Sequence, residues 1–289
     1  MQRFGYLLLR LVSELFRFLP FRLLYILSDG LAFLLHRVIG YRKQVALENL
    51  RQSFPEKTES EIREILRQFY RNLTDVTLET IKSNTMSLVD LYRRCPVCNP
   101  EKINSYLRQG QSLILTGAHF NNWEWAGFTI PMTTDGVTTT AYKPLTNKII
   151  DGFVNRNRAR AGMQMVSMEE LFGAMRRQRD IASVYILVAD QSPSSRKSAH
   201  WVDFLGQSTA SLPGADVLAR KFGYPTLHFH VRRLRRGFYE VEYRDVWLQP
   251  ARAEPTDVTR AYAAMLEAEI RAQPDSWLWS HKRWKMKPE

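Results

Sequence analysis

The chain has little cysteine, no long apolar run and a deficit of acidic charge. Its two cysteines lie together in Cys95-Pro96-Val97-Cys98. Such a pair fits a redox motif, which needs a thioredoxin-type fold around it, or half of a four-cysteine zinc site, which no second pair completes. They read as ordinary thiols of a reducing cytoplasm. No stretch reaches the ~18–20 uninterrupted apolar residues that a membrane-spanning helix requires. No small-residue cleavage site follows a single apolar core, so a secretory signal is not expected. Glycine-rich phosphate loops are absent, which leaves nucleotide binding unsupported. Gly206-Gln207-Ser208-Thr209-Ala210 lacks the second glycine of a serine-nucleophile elbow. Neither zinc-finger spacing nor an RNA-binding aromatic signature is present, so nucleic acid is not an expected partner.

What the chain does have is positive charge. There are 41 Lys and Arg against 29 Asp and Glu in 289 residues, a formal net charge of +12. The surplus suits an anionic partner, and its interleaving with Trp, Phe and Leu favours a lipid interface. A hydrophobic content of 45% allows a sizeable core, in one large domain or one domain with an appendage.

Residues 4–38 are dense in Leu, Phe and Tyr but interrupted by Arg10, Glu14, Arg17, Arg22, Asp29 and Arg37. Pro20 splits them into two segments with helical apolar spacing. The expectation is an interfacial anchor over residues 1–43, with Arg heads reaching phospholipid headgroups, ahead of a catalytic domain over 44–289. The competing reading is a helical hairpin packed on the protein's own core. A short helix over 45–54 and a longer one from a capping box at Thr58-Glu59-Ser60-Glu61 to about Lys82 follow. After residue 100, strand-like runs at 112–116, 137–142, 163–166, 184–189, 226–231 and 239–248 alternate with helix-like runs. This predicts an α/β fold, a mixed central sheet flanked by helices.

The most informative run is Gly117-Ala118-His119-Phe120-Asn121-Asn122-Trp123-Glu124. It begins where the apolar strand 112–116 ends, a common place for chemistry in an α/β sheet. An imidazole beside a carboxylate acts as a base at neutral pH. His119 is the expected general base, and Glu124 the acid that holds its tautomer and stabilises the imidazolium. Backbone N–H groups at Asn121–Trp123 are candidate oxyanion donors. Expected substrate-binding residues are Arg158, Asp190, Asn122 and Lys143: Asp190 closes a buried strand in an Asp-Gln pair, and Lys143 is a candidate phosphate contact. His119 and Glu124 lack the spacing of a zinc-binding helix, and His228 and His230 read as sheet residues, so no metal is expected. The tail from Trp277 to Lys285 mixes aromatic and basic residues, predicting buried tryptophans and exposed cations.

These motifs fall in the order found in the bacterial lipid A biosynthesis acyltransferases, which the chain resembles from about residue 31 to 288. The resemblance rests on the His119-x-x-x-x-Glu124 motif, Tyr142-Lys143-Pro144 with Asn147, the Arg-rich segment at Asn157-Arg158-Ala159-Arg160, Ala189-Asp190-Gln191, Phe204-Leu205-Gly206 and the closing Trp-rich tail. It implies a glycerolipid-acyltransferase-like fold with an N-terminal membrane anchor and catalysis by His119 and Glu124. It also places Arg158 where the family has a functionally important arginine. The expected reaction moves a fatty acyl chain from an acyl carrier protein, or coenzyme A, to a hydroxyl of an anionic glycolipid, a lipid A precursor. No cofactor is expected, and the expected setting is the cytoplasmic face of the inner membrane. Rival readings are the same reaction on a lysophospholipid, aminolipid or other glycolipid, and an inactive protein that only binds membranes.

Overall fold

In the computed structural model of the chain, residues 2–287 are described. The N-terminal half is helical: α1 (Gln2–Phe18), α2 (Phe21–Phe33), a π-helical turn (Leu34–Ile39), α3 (Lys43–Ser53), α4 (Glu59–Ser83), α5 (Leu88–Arg94) and α6 (Glu101–Arg108). Pro20 separates the first two helices, because a proline supplies no N–H and its ring blocks the preceding turn. The capping box that opens α4 is formed, with Thr58 and Glu61 each hydrogen-bonding the other's backbone N–H.

The alternation predicted after residue 100 is present. It runs β1 (Leu113–Gly117), α7 (Trp123–Met132), β2 (Val137–Tyr142), α8 (Lys148–Ala159), β3 (Met163–Ser167), α9 (Leu171–Arg177), β4 (Ser183–Val188), β5 (His200–Phe204), β6 (Gln207–Ser211), α10 (Gly214–Phe222), β7 (Thr226–Arg235), β8 (Phe238–Trp247) and α11 (Asp257–Ala272). Six strands form one sheet in the order β3-β2-β4-β1-β7-β8, parallel except where β8 returns antiparallel to β7. This is the mixed central sheet flanked by helices. β1 and β4 are buried because strands inside a sheet covered on both faces carry near-continuous apolar sequence. The β5–β6 hairpin stands apart as a second small sheet and was not anticipated.

The register of β1 on β4 positions the site. Gly117 pairs with Val188, and Ala189 donates its N–H to the Gly117 carbonyl at 3.0 Å. Two residues beyond the paired ends, His119 and Asp190 therefore leave neighbouring strands side by side. Gly117 is required here, since a Cβ would overlap the Phe229 ring.

Among the described residues no single helix is long and apolar enough to cross a membrane; the bent pair Phe21–Ile39 and Lys43–Ser53 passes on length and composition only together, at 92°. Residues 1–43 are also bonded to residues 44–289. On α2, Tyr25 donates to the Glu79 carboxylate at 2.7 Å and Ser28 to Asp75 at 2.6 Å, both acceptors lying on α4. Asp75 also accepts from Arg233 and Arg236 at 2.7 Å, next to the β7–β8 turn. The outer faces of α1 and α2 remain apolar and exposed, with Leu7, Leu11, Leu15, Phe18, Leu23 and Ile26 each more than half accessible.

The tail packs as half expected. Trp277, Trp279 and Trp284 are buried, but so is Arg283, which donates to the Ala210 carbonyl and the Ser211 hydroxyl of the small hairpin. It is the hydrogen bonds to β6 that make this cation tolerable inside. Asp75, 2% exposed between two arginines, is the buried ion on which the N-terminal docking turns. Asp75→Ala should destabilise the fold by about 3–5 kcal/mol, because it leaves guanidinium groups uncompensated. A urea unfolding midpoint equal to wild type would contradict this.

Candidate active site

His119 stands just past the end of β1, with its side chain 22% exposed. Its Nδ1 lies 2.7 Å from Asp190 Oδ1. The second Asp190 oxygen accepts from the His119 backbone N–H at 3.0 Å and from the Trp277 indole at 2.9 Å. Burial alone would raise the Asp190 pKa, but the charge of His119 and these hydrogen bonds outweigh it and hold it at about 2. An ionised Asp190 can only accept, so the proton sits on Nδ1 and Nε2 is the basic nitrogen. For His119 itself burial is the largest influence and opposes the charged form. Asp190, through its charge and its hydrogen bond, and Glu124, through its charge, override that and raise the pKa above 6.5.

Two further groups fix the ring. Trp123 meets it edge-on at 5.0 Å between centroids. The Gln191 amide nitrogen is 3.2 Å from Nε2 and 3.5 Å from Nδ1. With Nδ1 turned to Asp190, this amide is within donating reach of Nε2, where an acceptor hydroxyl would replace it. His281 accepts the Ser192 N–H at 3.1 Å, bracing the segment after Asp190, and burial lowers its pKa to about 4.

The expected His119–Glu124 contact is not made. Glu124, in the first turn of α7, accepts from Arg158 at 2.6 and 3.3 Å instead. Strand register explains the difference: Asp190 is delivered beside His119 by β4, whereas Glu124 lies one helical turn further along its own chain. Asn122 is not at the surface. It is fully buried, its Oδ1 caps α7 by accepting the Trp125 N–H, and its Nδ2 donates to Glu79 at 2.7 Å. The expected substrate contact is thus replaced by a scaffolding role, because both ends of the amide are taken inside the protein. Asn121 adopts φ 49°, and its N–H is bonded to the Ser276 carbonyl, so it offers no oxyanion donor. Lys143 is exposed and lines the same cavity as Arg158 and His119.

Glu79 links these parts. It is fully buried and accepts from Tyr25, Asn122 and Tyr239, while its backbone carbonyl accepts from the Trp125 indole. Burial pushes its carboxyl up to about 7. The loop that carries His119 is thereby fastened to α2, α4 and β8. Elsewhere, His228 and His230 both contact the buried Glu269, at 3.2 and 2.9 Å, and Arg244 donates to the same carboxylate at 2.9 Å. Among the described residues this is the cluster with metal-ligand types in reach of one another. Its carboxylate already serves the guanidinium.

Two cavities meet at His119, Trp123 and Glu124. One, of about 290 Å³, runs along α4 past Leu73, Val76 and Ile81 to Trp277 and Leu278. The other, of about 360 Å³, lies between α7 and the sheet, with Lys143, Arg158 and Gln191 among its polar residues. An imidazole whose basic nitrogen lies at the meeting of two cavities with many apolar walls suits a reaction between two lipidic groups.

Comparison with known proteins agrees. Residues 1–286 match the bacterial lipid A biosynthesis acyltransferase family. The chain belongs to this family. It is 26% identical over 275 residues to the lipid A biosynthesis lauroyltransferase of Escherichia coli K12, covering 94% of this chain and 88% of that protein. With the palmitoleoyltransferase of the same organism it shares 24% over 273 residues, 93% and 87% of the two chains. With the lipid A biosynthesis acyltransferase of Haemophilus influenzae it shares 23% over 270 residues, 92% and 82%. The protein is an acyltransferase of lipid A biosynthesis.

The Asp190 contact predicts the acyltransferase's pH dependence. His119 must be neutral to accept a proton, so the rate should rise with pH through a value above 6.5. In Asp190→Asn the raising influence is lost, the limb should move to lower pH, and the plateau should fall by about 100-fold or more. A pH–kcat profile together with an NMR titration of His119 tests this; an unmoved limb would contradict it.

Proposed function

We propose that the acyltransferase moves a fatty acyl group from a thioester carrier to a hydroxyl of a lipid A precursor at a membrane surface, with His119 as general base. The observation that carries the reading is the Asp190–His119 hydrogen bond, which directs the basic Nε2 toward the junction of two apolar cavities. Nε2 takes the proton of the acceptor hydroxyl as its oxygen attacks the thioester carbonyl. The tetrahedral oxyanion then collapses, the C–S bond breaks, and the departing thiolate takes the proton from the imidazolium. Asp190 steadies the imidazolium between these steps. The Arg158–Glu124 pair, beside the attack point, supplies a guanidinium for the oxyanion or for a phosphate, with Lys143 a second cation at the cavity. The buried N–H of Asn121 is excluded as a donor, which leaves those of Asn122 and Trp123 at the start of α7.

The membrane reading rests on the exposed apolar faces of α1 and α2, among which Arg10, Arg17 and Arg22 are placed to meet headgroup phosphates. An acidic carrier protein suits the net charge of +12. A single acyl carrier, a glycolipid acceptor and an inner-membrane setting complete one scheme.

Two outcomes test it. His119→Ala should abolish transfer from acyl–carrier protein to lipid A precursor in vitro while leaving the unfolding midpoint near wild type, and lipid mass spectrometry of cells lacking the enzyme should show one acyl chain missing. Transfer at wild-type rate by His119→Ala would end the base assignment; a change confined to phospholipids would move the acceptor. Removing residues 1–38 outright would also remove the Tyr25 and Ser28 bonds, so the membrane contact is better probed by Leu7, Leu11 and Leu15→Ser. This triple variant should bind anionic vesicles at least about tenfold more weakly, since each exposed leucine contributes about 1.5 kcal/mol or more when buried. Undiminished binding would place the contact elsewhere.

A further inference from the structure

One position faces the cavity between α7 and the sheet without filling it. Glu124, Gly127 and Ile130 recur at helical spacing along α7, and all three line that cavity with His119 and Trp123. α7 is otherwise tightly packed: Trp125, Ala126, Phe128 and Thr129 are buried. A Cβ added at Gly127 would nevertheless meet nothing within 4 Å. Nor does the backbone require glycine there, since Gly127 sits in regular helix and is not among the residues of positive φ. A glycine in a helix interior costs about 1 kcal/mol relative to alanine. Here the missing side chain preserves open space one helical turn from the attack point.

The space beyond it is apolar. Past Gly127 the walls are Ile130 from α7, Met163 and Met165 from β3, Ile186 from β4 and Phe229 from β7. The polar residues Lys143, Arg158 and Gln191 gather on the side of His119 and Glu124. The cavity along α4 is apolar too, walled by Phe69, Leu73, Val76 and Ile81, but no strand of the central sheet contributes to it and no glycine lines it. A hydrocarbon chain whose length is to be measured needs a path with its reactive end at the polar side and a position along it that a side chain could block, and Gly127 gives the cavity between α7 and the sheet such a position.

We propose that the cavity between α7 and the sheet holds the hydrocarbon tail of the acyl group being transferred, and that Gly127 sets the length it accepts. The inference rests on the acyl-transfer reading above. The thioester carbon lies at His119, the chain runs past Gly127 toward the methionines of β3, and a side chain at position 127 shortens the path. Selectivity then follows from exclusion, because each methylene kept out of an apolar chamber costs about fourfold in binding.

The test compares kcat/KM for a series of acyl–carrier protein thioesters, decanoyl to palmitoyl, with one lipid A precursor. Gly127→Ala and Gly127→Leu should progressively favour the shorter donors, with the palmitoyl-to-decanoyl ratio falling at least about tenfold in Gly127→Leu. Gly127→Ala guards against misfolding, since alanine favours the helix. Thr80→Leu, which narrows the cavity along α4, should leave the donor ratio as in wild type. An unmoved ratio in both Gly127 variants, or a ratio that moves in Thr80→Leu instead, overturns the inference while acyl transfer by the wild type stands. Absence of transfer from any thioester by the wild-type protein would overturn the functional reading and this inference together.

Discussion

The structure depends on one hydrogen bond made possible by strand register. β1 and β4 are parallel neighbours, and Gly117 pairs with Val188. Nothing but the continuation of that register is needed to bring His119 against Asp190 two residues on. A buried carboxylate accepting three hydrogen bonds, two from His119 and one from Trp277, stays ionised and holds the imidazole in one tautomer. The carboxyl ends of adjacent parallel strands are where an α/β sheet offers such an arrangement.

Around that bond the protein spends much of its buried polarity on holding one loop still. Asn122 caps α7 and is tied to Glu79; Glu79 is tied to Tyr25 and Tyr239; Asp75, one helical turn earlier on α4, is tied to Ser28, Arg233 and Arg236. Helices that sequence alone would assign to a detachable anchor are thus part of the support for the loop that carries His119. The exposed Leu and Arg of the outer faces and the inward Tyr25 and Ser28 belong to the same short segment. The exposed apolar faces and the polar bonds that fasten the His119 loop share one set of helices.

Much of this was legible in the chain. The alternation of β-like and helical runs predicted the class of sheet, the capping box marked the start of α4, and His119 stood out because a strand ended just before it. Glu124 was the natural partner by sequence distance, yet it binds Arg158. The true neighbour, Asp190, comes from a strand 71 residues later, and strand order is not written in local pattern. Asn122 lay inside a reactive-looking motif and proved to be its cap, since a buried amide and an exposed one look alike in sequence. Arg283 and the β5–β6 hairpin were missed for a related reason: the burial of this cation depends on β6, whose short polar sequence carries little signal. The family match supports the reaction class, while the pairing of side chains comes from the geometry.

The most direct test of the account is the tautomer of His119. Heteronuclear NMR of histidine-labelled protein, at a pH above the imidazole's titration, should find the proton on Nδ1 and an unprotonated Nε2, and Asp190→Asn should disturb this state while Glu124→Gln leaves the tautomer in place. A neutral His119 carrying its proton on Nε2, or a tautomer that depends on Glu124 and not on Asp190, would contradict it.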